Sequence, residues 1–362
     1  MDADRDHRRG NRRRGTGTHA AARTDGRLHD LARLTVPADR PNPDVPAHIR
    51  GLADERALAR AGRDWATADR LRAEIEAAGW KVVDGGFSYL LEPAHPATIE
   101  ASDGHTRYGR SADVPSRLDD EPVGLASIVL VATDWPADLR RTLVSLEEHA
   151  PDGVQVVIVG DGVPADEAVA LEAMDARDPG QPGIETEVVL TSERLGTAAA
   201  LNAGIRRAAA PVVIVLDTSI ELTGDAITPL AHALHDPSVA VAGPFGIVSA
   251  DLRRFEDAGP GDVTAIEGYV QAFRRVDASR RGPLDEHFRF YRNLDIWWSL
   301  VLRDASEGVV PRRALALDDL PVRRHEHRGW TGLADAERDR LSKRNFYRIL
   351  DRFGSRRDLA AS

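Results

Sequence analysis

From Leu125 onward, strand-length apolar runs alternate with stretches whose apolar residues recur at helical spacing. Strands are predicted at Ser127–Ala132, Gln155–Val159, Glu187–Leu190, Pro211–Leu216 and Val239–Ala242. Helices are predicted from about Pro136 to Glu148 and from about Gly196 to Ala208. This alternation indicates βαβ units and a mostly parallel sheet with helices on both faces. We therefore predict an α/β domain over residues 123–354.

The chain before this domain has a different pattern. Residues 1–44 are rich in arginine and have no sustained period, which predicts a disordered tail. Residues 46–79 carry apolar side chains at three- and four-residue spacing, and two short strand candidates follow around Asp84-Gly85-Gly86. These features predict a small helical hairpin module at 45–92, then a polar linker at 93–122. Residues 355–362 are predicted to be a short tail.

Three aspartates follow the carboxyl ends of predicted strands. Asp134, Asp161 and Asp217 come directly after apolar runs. In open α/β sheets, ligands bind beyond these strand ends, so the three carboxylates are expected at one polar site. The alternative for each is a helix cap, a position at which aspartate is common.

Composition narrows the classes of function. The formal net charge of −10 argues against a general nucleic-acid binder. The absence of cysteine excludes disulfides and cysteine metal sites. No apolar run reaches the ~20 residues of a membrane-spanning helix. We expect a cytoplasmic protein, with peripheral contact to the inner face of the membrane left open.

Several segments, in order, resemble the family 2 glycosyltransferases. The first is Ser127–Asp134, and the second, Val156–Gly162, is similar to a strand that ends in Asp-Asp-Gly-Ser in the family. Ser192–Gly196 with Asn202-Ala203-Gly204 resembles the donor segment, and Asp217-Thr218-Ser219 stands at the DxD motif. Gly282–Tyr291 is similar to the run before the catalytic acid. The resemblance spans about 125–353 and implies the GT-A fold, a Rossmann-like nucleotide-diphosphosugar transferase fold.

The resemblance implies a donor site and a cation site. The implied donor-binding residues are Thr133, Asp134, Asp161, Arg194, Asn202, Asp217 and Ser219. The implied ligands for a divalent cation, Mg²⁺ or Mn²⁺, are Asp217, His325 and His327. Ser219 replaces the last aspartate of DxD, and a hydroxyl is a weaker ligand for a hard cation than a carboxylate. An alternative for the two histidines is a surface pair in an arginine-rich loop.

The catalytic base is the most ambiguous residue. In the register of the family, Asn293 occupies the position of the base, but an amide cannot accept a proton. Asp295 is the nearest carboxylate, with Asp285 and Glu286 as further candidates. A charge at the start of a helix is the alternative role for Asp295.

The resemblance therefore implies an inverting transfer of a sugar from a nucleoside-diphosphate donor to an acceptor hydroxyl on a glycan, a lipid or another compound. The replacements at 219 and 293 favour an alternative, a catalytically lapsed member that binds nucleotide sugars or acts as a scaffold. Residues 50–92 weakly resemble the C-terminal helical segment of cysteinyl-tRNA synthetases. That resemblance leaves a packing module and an RNA contact as further alternatives.

Overall fold

The computed structural model describes residues 45–85, 88–101, 104–175, 184–305 and 309–360. The predicted tail at 1–44 lies outside these residues. Within them, the α-helices are α1 (Ala47–Ala61), α2 (Trp65–Ala77), α3 (Pro136–His149), α4 (Ala165–Asp175), α5 (Thr197–Arg207), α6 (Ile227–Ala233), α7 (Arg275–Arg281), α8 (Leu294–Arg303) and α9 (Asp335–Phe353). Short 3₁₀ helices span Ser111–Asp113 and Arg357–Leu359.

The strands fall into one large sheet and three small ones. They are β1 (Trp80–Gly85), β2 (Ser88–Pro93), β3 (Ile99–Glu100), β4 (Thr106–Tyr108), β5 (Ala126–Val131), β6 (Val154–Gly160), β7 (Glu185–Thr191), β8 (Val212–Leu216), β9 (Ile220–Leu222), β10 (Val239–Gly243), β11 (Gly246–Val248), β12 (Glu256–Ala258), β13 (Gly261–Val263), β14 (Ala265–Ile266), β15 (Val270–Arg274), β16 (Arg313–Ala316) and β17 (Val322–Arg324).

The large sheet has ten strands in the order β13-β16-β10-β15-β8-β5-β6-β7-β4-β3. The neighbours β8, β5, β6, β7 and β4 pair in parallel, whereas β15 is antiparallel to both β8 and β10. The predicted α/β class with a mostly parallel sheet is therefore confirmed. The carboxyl ends of β5, β6 and β8 meet at one edge, which places their following aspartates together.

Both faces of this sheet are buried, which explains its continuous apolar strands. Along β5, Val129 packs into the hydrophobic core on one face, and Ile128 and Leu130 pack into the core on the other. Parallel strands covered on both faces lose the apolar–polar alternation of half-exposed strands. Gly204 of α5 is needed for close packing, because a Cβ there would lie 2.4 Å from Val129 Cγ1.

The elements predicted for residues 45–92 are confirmed. Helices α1 and α2 form a hairpin, and β1 pairs antiparallel with β2. The side chain of Asp64 caps α2 by accepting the N–H of Thr67 at 3.1 Å. The buried Arg56 binds both carboxylate oxygens of Asp84, at 2.9 and 3.1 Å, and so ties α1 to the turn of the β-hairpin.

The predicted linker at 93–122 is part of the large fold. Its strand β4 pairs in parallel with β7, and Val114 is buried in the main core. The guanidinium of the buried Arg275 donates to the backbone carbonyls of Arg117 and Asp120. The sequence missed this because the strands are very short and the contacts use backbone oxygens, which leave no side-chain pattern.

The predicted tail at 355–362 is also packed as far as residue 360. Leu359 is fully buried in the main core, and its carbonyl accepts a hydrogen bond of 2.8 Å from Arg303. A single leucine after a polar stretch is too weak a signal to predict this contact. Across the described residues, no helix combines the length and the apolar character that a membrane crossing requires.

Candidate active site

A cleft of about 500 Å³ opens at the carboxyl ends of β5, β6 and β8. Most of the predicted site residues line it. They are Thr133, Asp134, Asp161, Arg194, Asp217, Asn293, Asp295 and His327. The structure thus brings together residues that are up to two hundred positions apart in sequence, whereas Asn202, Ser219 and His325 are not among the residues that line the cleft.

At the outer rim of the cleft, Asp134 and Arg194 form an exposed ion pair of 2.9 Å. Arg194 is placed there by a tight approach between two loops, because a Cβ on Gly162 would lie 2.2 Å from the backbone nitrogen of Arg194. Gly162 also has a φ of +62°, which glycine adopts without strain. The rim therefore presents one cation and one anion to the cleft.

Asp161 anchors the turn that starts α5. Its carboxylate accepts the backbone N–H of Leu195 at 2.8 Å and of Gly196 at 3.0 Å, and the hydroxyl of Thr191 at 3.1 Å. Burial raises the pKa of Asp161, and these three donors oppose the rise. A carboxylate has about four lone-pair positions. One position is therefore left to face the cleft.

Asp217 is paired with a histidine, His327, from the segment that follows β17. Its Oδ1 accepts the N–H of Ser219 at 2.8 Å and the Ser219 hydroxyl, and its Oδ2 lies 3.4 Å from Nε2 of His327. Burial alone would raise the pKa of Asp217, but the His327 and Ser219 contacts outweigh it and the pKa is lowered. Burial would lower the pKa of His327, but Asp217 outweighs it and the pKa is raised.

His325 takes a different partner. Its Nε2 lies 2.6 Å from Oε2 of Glu221, outside the cleft lining. In an extended chain, His325 and His327 would point to the same side. The pairing of β17 with β9 ends at Arg324, however, and the alternation does not continue past it. The structure therefore brings His327 to Asp217 but not His325.

Asn202 is a structural link beneath the cleft. Its side chain donates to the carbonyl of Leu284 at 2.9 Å and accepts the N–H of the same residue at 2.8 Å. It also donates to Glu286 at 3.0 Å. Leu284 lines the cleft, so Asn202 acts on the cleft wall through that residue. Ser219 is similarly buried and acts by holding Asp217.

Asn293 is held by its backbone and by α9. Its φ of +67° is left-handed, a conformation that asparagine tolerates better than most residues. Its side-chain amide donates to the carbonyl of Ser342 at 3.0 Å. The amide group therefore fixes the start of α8 against α9, which gives a conformational reason for asparagine at this position.

Asp295, in the first turn of α8, is hydrogen-bonded to the turn between β14 and β15. Its Oδ2 accepts the N–H of Gly268 at 2.9 Å, and its Oδ1 accepts the N–H of Ile296 at 2.9 Å. Gln271 donates to its backbone carbonyl at 3.1 Å. Burial raises the pKa of Asp295, while the N–H donors limit the rise. Asp285 and Glu286 are absent from the cleft lining.

Glu267, which the sequence did not single out, lines the same part of the cleft. Burial and then the charge of Asp295 raise its pKa. Its hydrogen bond from Arg324 is long, at 3.4 Å. The available signal was an acidic residue after the apolar pair Ala265-Ile266, but only the fold shows that this turn faces α8.

The opposite lip of the cleft is aromatic. Trp330 has a φ of +67°, which is strained for a bulky side chain, and its ring meets Phe290 edge-on at 5.4 Å between centroids. Tyr291 packs against His327 at 4.6 Å. The guanidinium of Arg328 lies 5.1 Å from the centre of the Trp135 ring. The segment 327–330 thus connects the Asp217 end of the cleft to its outer rim.

A divalent cation would find two protein ligands here. In the ranges that the structure describes, no group of three or more His, Cys, Asp or Glu side chains is placed to hold a metal. Two ligands about 2.1 Å from one ion at right angles lie about 3 Å apart. The 3.4 Å between Asp217 and His327 suits such a pair. A bound diphosphate would have to supply further oxygens.

Comparisons with known proteins were made on the whole chain. Residues 127–292 match the family model described as Glycosyl transferase family 2. This part of the chain is therefore similar to the family 2 glycosyltransferases, and the resemblance predicted from the sequence motifs is confirmed. The match includes the strand ends that carry Asp134, Asp161 and Asp217.

Among solved structures, the chain is similar to GalNAc-T7 with UDP, GalNAc and Mn²⁺, at 16% identity and a TM-score of 0.49. That similarity covers 64% of this chain and 48% of the other. It is also similar to a mannosyltransferase of Pyrobaculum calidifontis in complex with GDP-Man and Mn²⁺, at 18% identity and a TM-score of 0.44. That similarity covers 61% of this chain and 62% of the mannosyltransferase.

The curated relatives match a much smaller part. The cysteine–tRNA ligase of Opitutus terrae is 50% identical over 54 residues, which are 15% of this chain and 12% of the ligase. Cysteine–tRNA ligase 1 of Burkholderia lata is 58% identical over 41 residues, 11% of this chain and 9% of the ligase. These short matches agree with the weak resemblance noted for residues 50–92.

Proposed function

We propose that the protein transfers a sugar, with inversion, from a nucleoside-diphosphate donor to an acceptor hydroxyl. The observation that carries the proposal is one cleft that holds the Asp217–His327 pair together with the half-buried carboxylate of Asp295. The family match supports the donor class. The acceptor is a glycan, a lipid or another hydroxyl compound, and a lipid acceptor would bring the protein to a membrane surface.

In this proposal, the donor lies along the ends of β5, β6 and β8. Thr133, Asp134, Asp161 and Arg194 contact the nucleoside, whose ring N–H and ribose hydroxyl groups are donors for carboxylates. Asp217 and His327 hold a divalent cation, Mg²⁺ or Mn²⁺. When bound, such a cation stabilises negative charge on the leaving diphosphate. Ser219 and Asn202 support the site from beneath.

Asp295 is the proposed base. Its carboxylate accepts the proton of the acceptor hydroxyl as the oxygen attacks the anomeric carbon of the sugar. The bond from that carbon to the diphosphate oxygen breaks, and its electron pair leaves with the nucleoside diphosphate. A raised pKa suits this role, because a base is most effective when its pKa lies closer to the working pH.

The first experiment is a thermal-shift screen of the purified chain against UDP-, GDP- and dTDP-sugars, with and without Mn²⁺ or Mg²⁺. We expect at least one donor to raise the melting temperature, and we expect Asp217→Ala to remove that shift while the variant remains folded. A matched control is Asp225→Ala, which removes a helix cap outside the cleft lining. Wild-type donor affinity in Asp217→Ala would show that the assignment is wrong.

A lapsed transferase that only binds the donor is the second candidate. It is favoured by Asn293 at the position of the base and by Ser219 in place of an aspartate. Release of nucleoside diphosphate from the donor identified in the screen separates the two. Binding without release, over a panel of sugar and lipid acceptors, would support the scaffold.

A further inference from the structure

Two carboxylates, those of Glu267 and Asp295, line the same part of the cleft. Glu267 precedes Gly268, whose N–H binds Asp295 Oδ2 at 2.9 Å, and both acidic side chains line the cleft. The approach is close because residue 268 has no side chain. A Cβ there would lie 3.2 Å from the Cβ of Asp295. The fold therefore places the start of α8 directly against the turn that carries Glu267.

The two carboxylates differ in how they are held. Both oxygens of Asp295 accept a backbone N–H at 2.9 Å. These donors fix the orientation of the carboxylate and favour its charged form. Among the described residues, the carboxylate of Glu267 has one hydrogen-bond partner, Arg324 at 3.4 Å, whose guanidinium lies over the rings of Phe245 and Tyr269. Glu267 is thus the member with oxygens available to a substrate.

The charges around Glu267 come from several elements. Arg324, the last residue of β17, favours the charged form of Glu267, whereas Asp295 on α8 and Asp257 on β12 oppose it. Tyr269 lies two residues further along the same turn, where burial and, to a smaller extent, the charge of Glu267 raise the pKa of its phenol. Burial is the largest influence and raises the pKa of Glu267. The charge of Asp295 adds to the effect of burial, so the titration of Glu267 is coupled to the charge state of Asp295.

We propose that Glu267 is a second catalytic carboxylate and forms one proton-accepting unit with Asp295. This inference rests on the proposed function. The acceptor O–H bond breaks, its proton passes to the Glu267–Asp295 pair, and the freed oxygen forms the bond to the anomeric carbon. The diphosphate leaves with the electron pair of the broken bond. The proton remains on the pair until solvent removes it, so no further reactant is needed.

The kinetic test uses the full chain and the donor identified by the screen, with water as the acceptor, and measures release of nucleoside diphosphate. Glu267→Gln should lower kcat by about 10²-fold, the lower end for loss of a general base. The KM for the donor should stay within about twofold of the parent. The control Glu148→Gln, a change at a 70% exposed residue of α3, should leave both constants unchanged.

The pH dependence of kcat distinguishes a proton-accepting role of the Glu267–Asp295 pair from a purely structural role of Glu267. Removing the charge of Glu267 should move the acid limb of kcat to lower pH by at least about half a unit, because Asp295 would then titrate without a like charge beside it. Glu267→Asp should restore part of the rate. An unchanged acid limb, or near-parental kcat in Glu267→Gln, would overturn the proposal while leaving donor transfer intact.

A second test measures the melting temperature at two pH values and does not require catalytic turnover. A carboxyl group whose folded-state pKa is raised contributes stability at low pH, and this contribution is lost as the pH rises through the folded pKa. Glu267→Gln should therefore raise the melting temperature relative to the parent at pH 8 and leave it nearly unchanged at pH 4. The same temperature difference at both pH values would contradict the pairing. A parent that neither binds nor cleaves any donor would instead overturn the proposed function.

Discussion

The two walls of the cleft differ in the number and kind of hydrogen-bond partners that hold their carboxylates. On the wall formed by the ends of β6 and β8, Asp161 is held by three donors and Asp217 by a serine and a histidine. On the wall formed by the β14–β15 turn and α8, the partners that the described part of the chain offers are two backbone N–H groups for the Asp295 carboxylate and one long contact for Glu267. On the first wall, the contacts of Asp217 with His327 and Ser219 outweigh burial and lower its pKa, whereas Asp161 is fixed by its donors although burial raises its pKa. On the second wall, burial raises the pKa of both carboxyl groups, which suits proton transfer.

The largest effect should come from Asp161→Ala on the first wall. The change leaves the buried N–H groups of Leu195 and Gly196 without acceptors, and each costs about 1–3 kcal/mol. We expect the free energy of unfolding, measured by denaturant titration, to fall by about 3 kcal/mol. Asp161→Asn keeps one acceptor oxygen and should lose less. A loss of donor affinity without loss of stability would show that Asp161 serves the nucleoside rather than the turn.

On the second wall, Asp295→Asn should act on the rate. Turnover should fall by at least about 100-fold, which corresponds to about 2.7 kcal/mol of transition-state stabilisation. Donor affinity, measured by calorimetry with the nucleoside diphosphate, should change little, because the amide keeps an oxygen for one N–H donor. Near-parental turnover would mean that Asp295 is a structural residue at the start of α8 and that the two walls do not differ in role.

A smaller effect is expected at Asn293, where the second wall meets α9. Asn293→Asp replaces the donor to the Ser342 carbonyl with a carboxylate, so we expect about 1–2 kcal/mol of lost stability. We expect no gain in turnover. Asn293→Ala should lose a similar hydrogen bond without adding charge. A rise in activity in Asn293→Asp would instead identify the parent as a lapsed enzyme.

The smallest effect is predicted for residues 1–44. Their composition cannot supply a core, so deletion should leave the melting temperature and donor binding unchanged within error. Differential scanning calorimetry of the shortened and full chains checks the first, and the nucleotide titration checks the second. A marked drop in either quantity would mean that this segment supports one of the walls.

The first wall could be predicted from the sequence, and the second could be predicted only in part. Asp134, Asp161 and Asp217 follow apolar strands, and the geometry of a parallel sheet brings such positions together. Glu267 lies in the turn between β14 and β15, and this turn packs against α8 only in the folded protein. Glu267 and Asp295 come close because Gly268 and Gln271 donate hydrogen bonds to Asp295. His325 illustrates the same limit, because its direction depends on where β17 stops pairing.

The packing of Arg275 determines where a stable recombinant fragment of this protein can begin. A shortened chain that began at residue 123 would match the sequence-predicted domain, but it would lack the carbonyl oxygens of Arg117 and Asp120 that satisfy this buried guanidinium. It would also lose Val114 from the interior and β4 from the side of β7. The guanidinium would keep only its 3.3 Å hydrogen bond to the carbonyl of Ala208 among those that the described residues provide, and a buried cation that loses most of its partners is strongly destabilised. A recombinant fragment for crystallisation should therefore start near residue 94, just after the β-hairpin, and a start at 123 should give insoluble protein.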